Sequence, residues 1–295
     1  MPRDVRMLLD TDIGSDVDDA LALLFALKNP HISLEGVTTV YGNVHMRADV
    51  ARKILEAAGR EDIPVHVGES TPMYSPHEIW HTGKEGIGVL TAGKRLKNIA
   101  QAGKSGDAVN FLIDKIMSDP GEYTLVTIGA LTNFAKALEQ EPRVAESLRD
   151  HYMMGGQFSW PKHKFDPTNF KQSYGVEHNI VCDTEAAYKV LSTPMSRTIV
   201  PLDVTTKTYL TAQECDIMRK VDEAGSRVGS LVDVWFAYRS ALFDEPYTRT
   251  CLHDPLTVAL AAYPELGTTT TIPVSIALGR TIWDNDDGTN SEVCY

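Results

Sequence analysis

The densest chemistry in the chain lies in ten consecutive residues: Asp10, Thr11, Asp12, Ile13, Gly14, Ser15, Asp16, Val17, Asp18 and Asp19. Five carboxylates this close repel one another, and the apolar run Val5 to Leu9 before them reads as a strand that delivers them to the edge of a core. A bound cation is the natural compensation. Oxygen donors with no adjoining cysteine or histidine pattern favour a hard divalent ion, calcium or magnesium, over zinc. Helix capping competes with this reading, because Asp16, Asp18 and Asp19 precede an apolar helical pattern whose amino end attracts negative charge. Capping accounts for one or two of the five. A carboxylate beside a metal also orients water whose pKa the metal lowers, so hydrolysis is the reaction class suggested.

Two further groupings carry chemistry. His253-Asp254-Pro255 sets an imidazole beside a carboxylate just before an apolar helix expected to start near Leu256, an arrangement that also suits a cap and a surface histidine. Glu177-His178-Asn179 reads as a strand edge on which a carboxylate and an amide two positions apart share a face and can grip vicinal hydroxyls.

The elements that must position these residues follow from periodicity. Short β-rich runs at 5–9, 34–40, 63–67, 123–128, 152–154 and 198–201 alternate with helical patterns at 18–26, 47–58, 108–117, 131–139 and 184–191. This is the pattern of an α/β fold with an open, mostly parallel central sheet flanked by helices. Ligands of such sheets sit at the carboxyl ends of the strands. The aspartate loop, Tyr41-Gly42-Asn43, Ile128-Gly129-Ala130 and Gly155-Gly156-Gln157 each follow a strand, so one rim holds a single active site. No repeat or linker divides the chain, and residues 1–295 are expected to form a single domain. Residues 70–93 and 157–175 lack periodicity and are expected to wall or cover the pocket, with Gly83, Gly86 and Gly88 as turn or hinge positions.

Composition narrows the partners. A formal charge of -12 argues against a nucleic-acid backbone as ligand and leaves room for a neutral small molecule with a bound cation. No run approaches the roughly 18 apolar residues of a membrane span, and the opening residues lack the pattern of a secretory signal, so no membrane role and a cytoplasmic location are expected. Cys182, Cys215, Cys251 and Cys294 are widely spaced and suggest neither a zinc site nor a disulfide framework.

Residues 10–20, 37–43, 124–135, 154–156, 177–187, 201–205 and the motif His253-Asp254-Pro255 together resemble, in the same order, the inosine-uridine preferring nucleoside hydrolase family. The resemblance spans nearly the whole chain. It implies a nucleoside hydrolase-like fold and cleavage of the N-glycosidic bond of a ribonucleoside to free base and ribose, with Ca2+ as cofactor. It further implies that Asp12 binds calcium and acts as general base on the attacking water, with Asp19, Asp254 and the backbone carbonyl of Ile128 as further ligands. Asp18, Asn43, Glu177 and Asn179 match positions that hold the ribose hydroxyls, and Asp10 matches a supporting aspartate. His253 is implied as the acid that protonates the departing base; Tyr238, Tyr247, Trp80 and His81 are candidate helpers from the sequence regions they occupy, not from the resemblance. Two residues beyond the shorter family form, between Gly14 and Asp18, leave Asp16 without an assigned role. A homo-oligomer, dimer or tetramer, is expected on the resemblance alone.

Two other functions fit parts of the pattern. Asp10-Thr11-Asp12 after an apolar strand matches the nucleophile and acid/base of a haloacid dehalogenase-type phosphatase, which leaves Asp18, Asp19, Glu177, Asn179 and His253-Asp254 unexplained. A non-catalytic calcium-dependent nucleoside or sugar sensor would keep the ligand grip without turnover; the presence of both Asp12 and His253 favours catalysis.

Overall fold

Strand β1 (Val5–Thr11) is buried at every position except the half-buried Arg6, as a central parallel strand covered on both faces must be. The structure, a computed structural model, describes residues 2–74, 84–100, 104–158, 177–277, 280–283 and 289–294. Parallel neighbours flank β1. On one side lie β2 (Ile32–Thr39) and β3 (Val65–Val67); on the other lie β4 (Tyr123–Thr127), β5 (Asp150–Met154) and β6 (Arg197–Val200). β7 (Tyr209–Thr211) and β8 (Arg249–Cys251) form a separate antiparallel pair. β9 (Thr269–Ala277), β10 (Arg280–Trp283) and β11 (Thr289–Cys294) extend the sheet past β6, with β11 parallel to β6 and β9 and β10 antiparallel beyond it. The resulting order, β10-β9-β11-β6-β5-β4-β1-β2-β3, is open and mostly parallel.

The helices among the described residues are α1 (Asp18–Lys28), α2 (Val44–Ala57), α3 (Ala92–Ile99), α4 (Ala108–Ser118), α5 (Thr132–Gln140), α6 (Val144–Ser147), α7 (His178–Cys182), α8 (Thr184–Ser192), α9 (Leu202–Thr205), α10 (Ala212–Met218), α11 (Glu223–Phe243) and α12 (His253–Ala262). Alternation along β1 sorts them into layers. Met7 and Leu9 join a core with residues of α1, α2, α11 and α12, while Leu8 joins one with α4, α5 and α8. The strand order reverses at β1, which has β2 on one side and β4 on the other, so a crevice opens beyond their carboxyl ends.

The expected strands and helices coincide with β1 to β6 and with α1, α2, α4, α5 and α8, with small shifts at their ends. Two expectations change, and one long helix is unforeseen. Glu177-His178-Asn179 is the start of α7 rather than a strand edge, because the Glu177 carboxylate accepts from the backbone N–H groups of Asn179 and Ile180 and so caps a helix. α12 starts at His253 instead of Leu256. The long α11 is not legible from periodicity, since glycines interrupt its pattern. A Cβ at Gly225 would lie 2.3 Å from the Met218 carbonyl oxygen, so close approach of α10 demands the residue that weakens the helical signal.

Candidate active site

The end of β1 is anchored through Asp10, which is fully buried. Its Oδ1 accepts from Thr38 Oγ1 and from Asn133 Nδ2 at 2.7 Å, and its backbone carbonyl accepts from Ile128 N at 2.8 Å. Asp10 Oδ2 has no hydrogen-bond partner among the described residues. Burial pushes this carboxyl up to about 7, against the pull of the Thr38 and Asn133 hydrogen bonds. Enclosed in this way, Asp10 cannot approach a phosphoester, which removes the basis of the phosphatase reading.

The chain then turns at Gly14, with φ +109°, and enters α1. Its N-cap is Val17, with no side-chain cap hydrogen bond, so none of the aspartates is the N-cap, and the helix amino end accounts at most for the charge of Asp18 and Asp19 in the first turn. Asp18 and Asp19 occupy the first turn of α1 and meet Asp254 in the first turn of α12. All three are buried, and one carboxylate oxygen from each lies within 4.8 Å of the others. Burial pushes Asp18 up to about 8, with the Asp16 and Asp12 charges adding to it. Asp19 and Asp254 are also raised by burial, then by their neighbours: Asp12 and Asp18 for Asp19, and Asp18, Asp19, Asp12 and Asp16 for Asp254. A cation among these groups reverses that balance and draws them into the anionic form. The donor set, all carboxylate oxygen and closely convergent, fits a hard divalent ion.

Asp12 stands beside the three. Its Oδ2 lies 3.7 Å from Arg47 Nη2, with both side chains buried. A Cβ at position 129 would lie 2.9 Å from Asp12 N and 3.0 Å from Asp12 Oδ1, so Gly129, just after β4, makes the room Asp12 occupies. Asp18, expected on the ribose, is thus part of the tight group with Asp19 and Asp254, and Asp12 borders it. The half-buried Asp16 acts on Asp18 and Asp254 through its charge.

The other rim residues converge from separate elements. Asn43 is the N-cap of α2: its Oδ1 accepts from Met46 N, and its Nδ2 donates to the Asn98 carbonyl at 3.2 Å. The turn before it is strained, with Tyr41 at φ +64° and Gly42 at φ +74°. Asn179 Nδ2 donates to the carbonyls of Ile128, at 3.1 Å, and Met154, at 3.2 Å. Glu177 accepts from Asn179 N, Ile180 N and Gly156 N, and burial nevertheless raises its pKa. His253 Nδ1 shares a 2.7 Å hydrogen bond with Thr205 Oγ1 on α9.

Of the aromatic candidates, Tyr238 stacks on Trp235 and lies 4.0 Å beneath Lys84 Nζ, and Tyr247 packs edge-on against Phe236. Trp80, His81 and Gly83 lie outside the described residues. A shallow groove of about 650 Å³ along α8, lined by residues including Tyr74, Tyr188 and Lys189, contains none of the rim residues. Sequence reading missed Arg47, Thr38 and Asn133. An arginine in a helical pattern reads as solvent-facing, and only the fold reveals that position 47 is 2% exposed.

A family model described as inosine-uridine preferring nucleoside hydrolase matches residues 7–294. The inosine-uridine preferring nucleoside hydrolases of Crithidia fasciculata and Leishmania major are 32% and 31% identical to the chain, each over 94% of it and 84% of its own length. A solved purine-preferring ribonucleoside hydrolase from Gardnerella vaginalis superposes with a TM-score of 0.81 at 28% identity, covering 98% of this chain and 92% of that one.

Proposed function

The chain belongs to the inosine-uridine preferring nucleoside hydrolase family and hydrolyses the N-glycosidic bond of ribonucleosides, and from that premise we propose how its own residues carry the reaction. Calcium is the proposed cofactor, with Asp12, Asp19, Asp254 and the Ile128 carbonyl as its protein ligands and Asp18 at its edge. The observation behind it is the buried convergence of Asp19 and Asp254, with Asp18, at two helix amino ends, where the Asp12 charge also acts on both Asp19 and Asp254. When bound, such an ion supplies positive charge that gathers ribose hydroxyls and acidifies water.

Asp12 accepts the proton of the attacking water. Asp18, Asn43, Glu177 and Asn179 fix the ribose, and holding the sugar against the nucleophile removes much of the entropic barrier. As the C1′–N bond breaks, the sugar approaches an oxocarbenium ion, and buried carboxylates beside it favour that positive charge over the neutral ground state. The departing base takes up negative charge unless it is protonated, and His253, oriented by Thr205, is the proposed donor. The chain is further proposed to work in the cytoplasm, on nucleosides, as a homo-oligomer.

Ribose release measured over inosine, uridine, cytidine and adenosine tests the scheme. Release is expected to be lost in chelator and restored by calcium. Undiminished release in chelator contradicts the metal assignment, and calcium-dependent nucleoside binding without any release would reinstate the sensor reading.

A further inference from the structure

We propose that Arg47 is a positioning residue for the reaction, clamping the Asp12 loop to the turn at residues 41–43 so that the proposed base and the ribose-binding Asn43 are held as one unit. The inference rests on the reading of Asp12 as base. Arg47 sits in the first turn of α2 with 2% of its surface exposed, and each nitrogen of its guanidinium faces a different acceptor. Nε donates to the Tyr41 carbonyl at 2.6 Å, Nη1 donates to the Ile13 carbonyl at 3.2 Å, and Nη2 lies 3.7 Å from Asp12 Oδ2. Two of these partners, Asp12 and Ile13, lie within the aspartate loop, and the third belongs to the left-handed Tyr41 that leads into Asn43.

Three properties make this a device for position. First, Tyr41 holds a φ of +64° that a residue with a Cβ adopts only under constraint, and the Arg47 hydrogen bond to its carbonyl supplies one. Second, Asp12 is bounded on its other oxygen by the backbone at Gly129, so the carboxylate is set between a guanidinium and a close-packed glycine. Third, Arg47 places a permanent positive charge beside carboxylates proposed to bind a cation. Charge alone would make it a hindrance to the metal; its value must lie in the rigid fork, which lysine cannot reproduce.

The clamp therefore predicts a fall in turnover without a fall in metal affinity. Arg47→Met is expected to lower kcat about 100-fold on whichever of inosine and uridine the parent turns over faster, with KM changed less than about threefold. Its calcium affinity by calorimetry is expected to equal or exceed the parent's. Arg47→Lys keeps the charge without the fork and is expected to recover no more than about a tenth of parental kcat. In an Asp12→Asn background, Arg47→Met is expected to cost less than about tenfold more, because the part of its effect that runs through Asp12 is already lost and only the hold on the Asn43 turn remains.

Parental kcat in Arg47→Met overturns the proposal, as does a loss of kcat accompanied by weaker calcium binding, or full additivity with Asp12→Asn. If Arg47→Met does not fold, Arg47→Lys decides, and parental kcat there is equally fatal. Full turnover by Asp12→Asn alone defeats the reading of Asp12 and this inference with it. Parental Arg47→Met beside an inactive Asp12→Asn defeats this inference alone.

Discussion

The two ends of the central sheet treat carboxylates in opposite ways. Toward the amino ends of β1, β2 and β4, Glu35 lies 2.6 Å from Arg6 and 3.3 Å from Lys115, and it accepts from Tyr123. Asp119 contacts Arg6 from the other side. The Arg6 guanidinium, aided by Tyr123 and Lys115, holds Glu35 down to about 2. At the carboxyl ends, Asp18, Asp19 and Asp254 are buried among one another and Asp12, and all three are pushed up. Glu35 and Asp119 at the first end have cationic partners from the chain; at the second, Arg47 faces Asp12 and acts through its charge on Asp19. One end is arranged for stability. The other keeps like charges together at a cost to the fold, which makes sense if a ligand from outside the chain completes them.

The sharpest break between the two ends is expected in turnover. Asp12→Asn removes the proposed base and should lower kcat by about 10³-fold in ribose-release assays, whereas Glu35→Gln should leave kcat within about twofold because it touches no substrate. Equal losses in the two variants would erase the distinction.

Stability against pH should separate the ends next. A carboxyl whose folded pKa is raised binds more protons folded than unfolded. The stability it contributes is full below the ordinary value of 3.8 and is lost as pH climbs through the folded values, about 7 for Asp10 and about 8 for Asp18. Chelated protein should therefore lose about 5 °C of Tm between pH 4 and 8, and calcium should abolish most of that fall. A Tm that rises over this window in chelator would contradict the assigned shifts. Glu35 has the reverse sign: its contribution is present above 4.5 and is lost as pH falls toward about 2. Partly exposed and screened by solvent, Glu35→Gln should cost only about 1 kcal/mol by denaturant unfolding at pH 7, and a loss several times larger would show that the network does more than pair surface charges.

Much of this contrast was legible in the sequence at one end only. The alternation of strands and helices, the rim loops and the aspartate cluster are local patterns, and β1 to β6 follow them. What was not legible depends on which face a residue turns inward. Arg47 and Asn133 read as ordinary helical polar residues until the fold buries them against Asp12 and Asp10. Glu177-His178-Asn179 carries the same residues for a strand as for a helix start, and only the capping hydrogen bonds decide. The family resemblance already pairs Asp254 with Asp19 across most of the chain; that Asp18 joins them depends on how two helix amino ends meet, which periodicity does not encode.

The central claim is that the carboxyl-end carboxylates are a calcium site on which nucleoside hydrolysis depends. Calcium titration of chelated parent and Asp254→Asn proteins, by calorimetry at pH 8 with ribose release followed on the same samples, tests it directly. The account predicts one site per parent chain with release recovering in proportion to its occupancy, and loss of both in Asp254→Asn. Full ribose release by chelated parent that binds no calcium would contradict it.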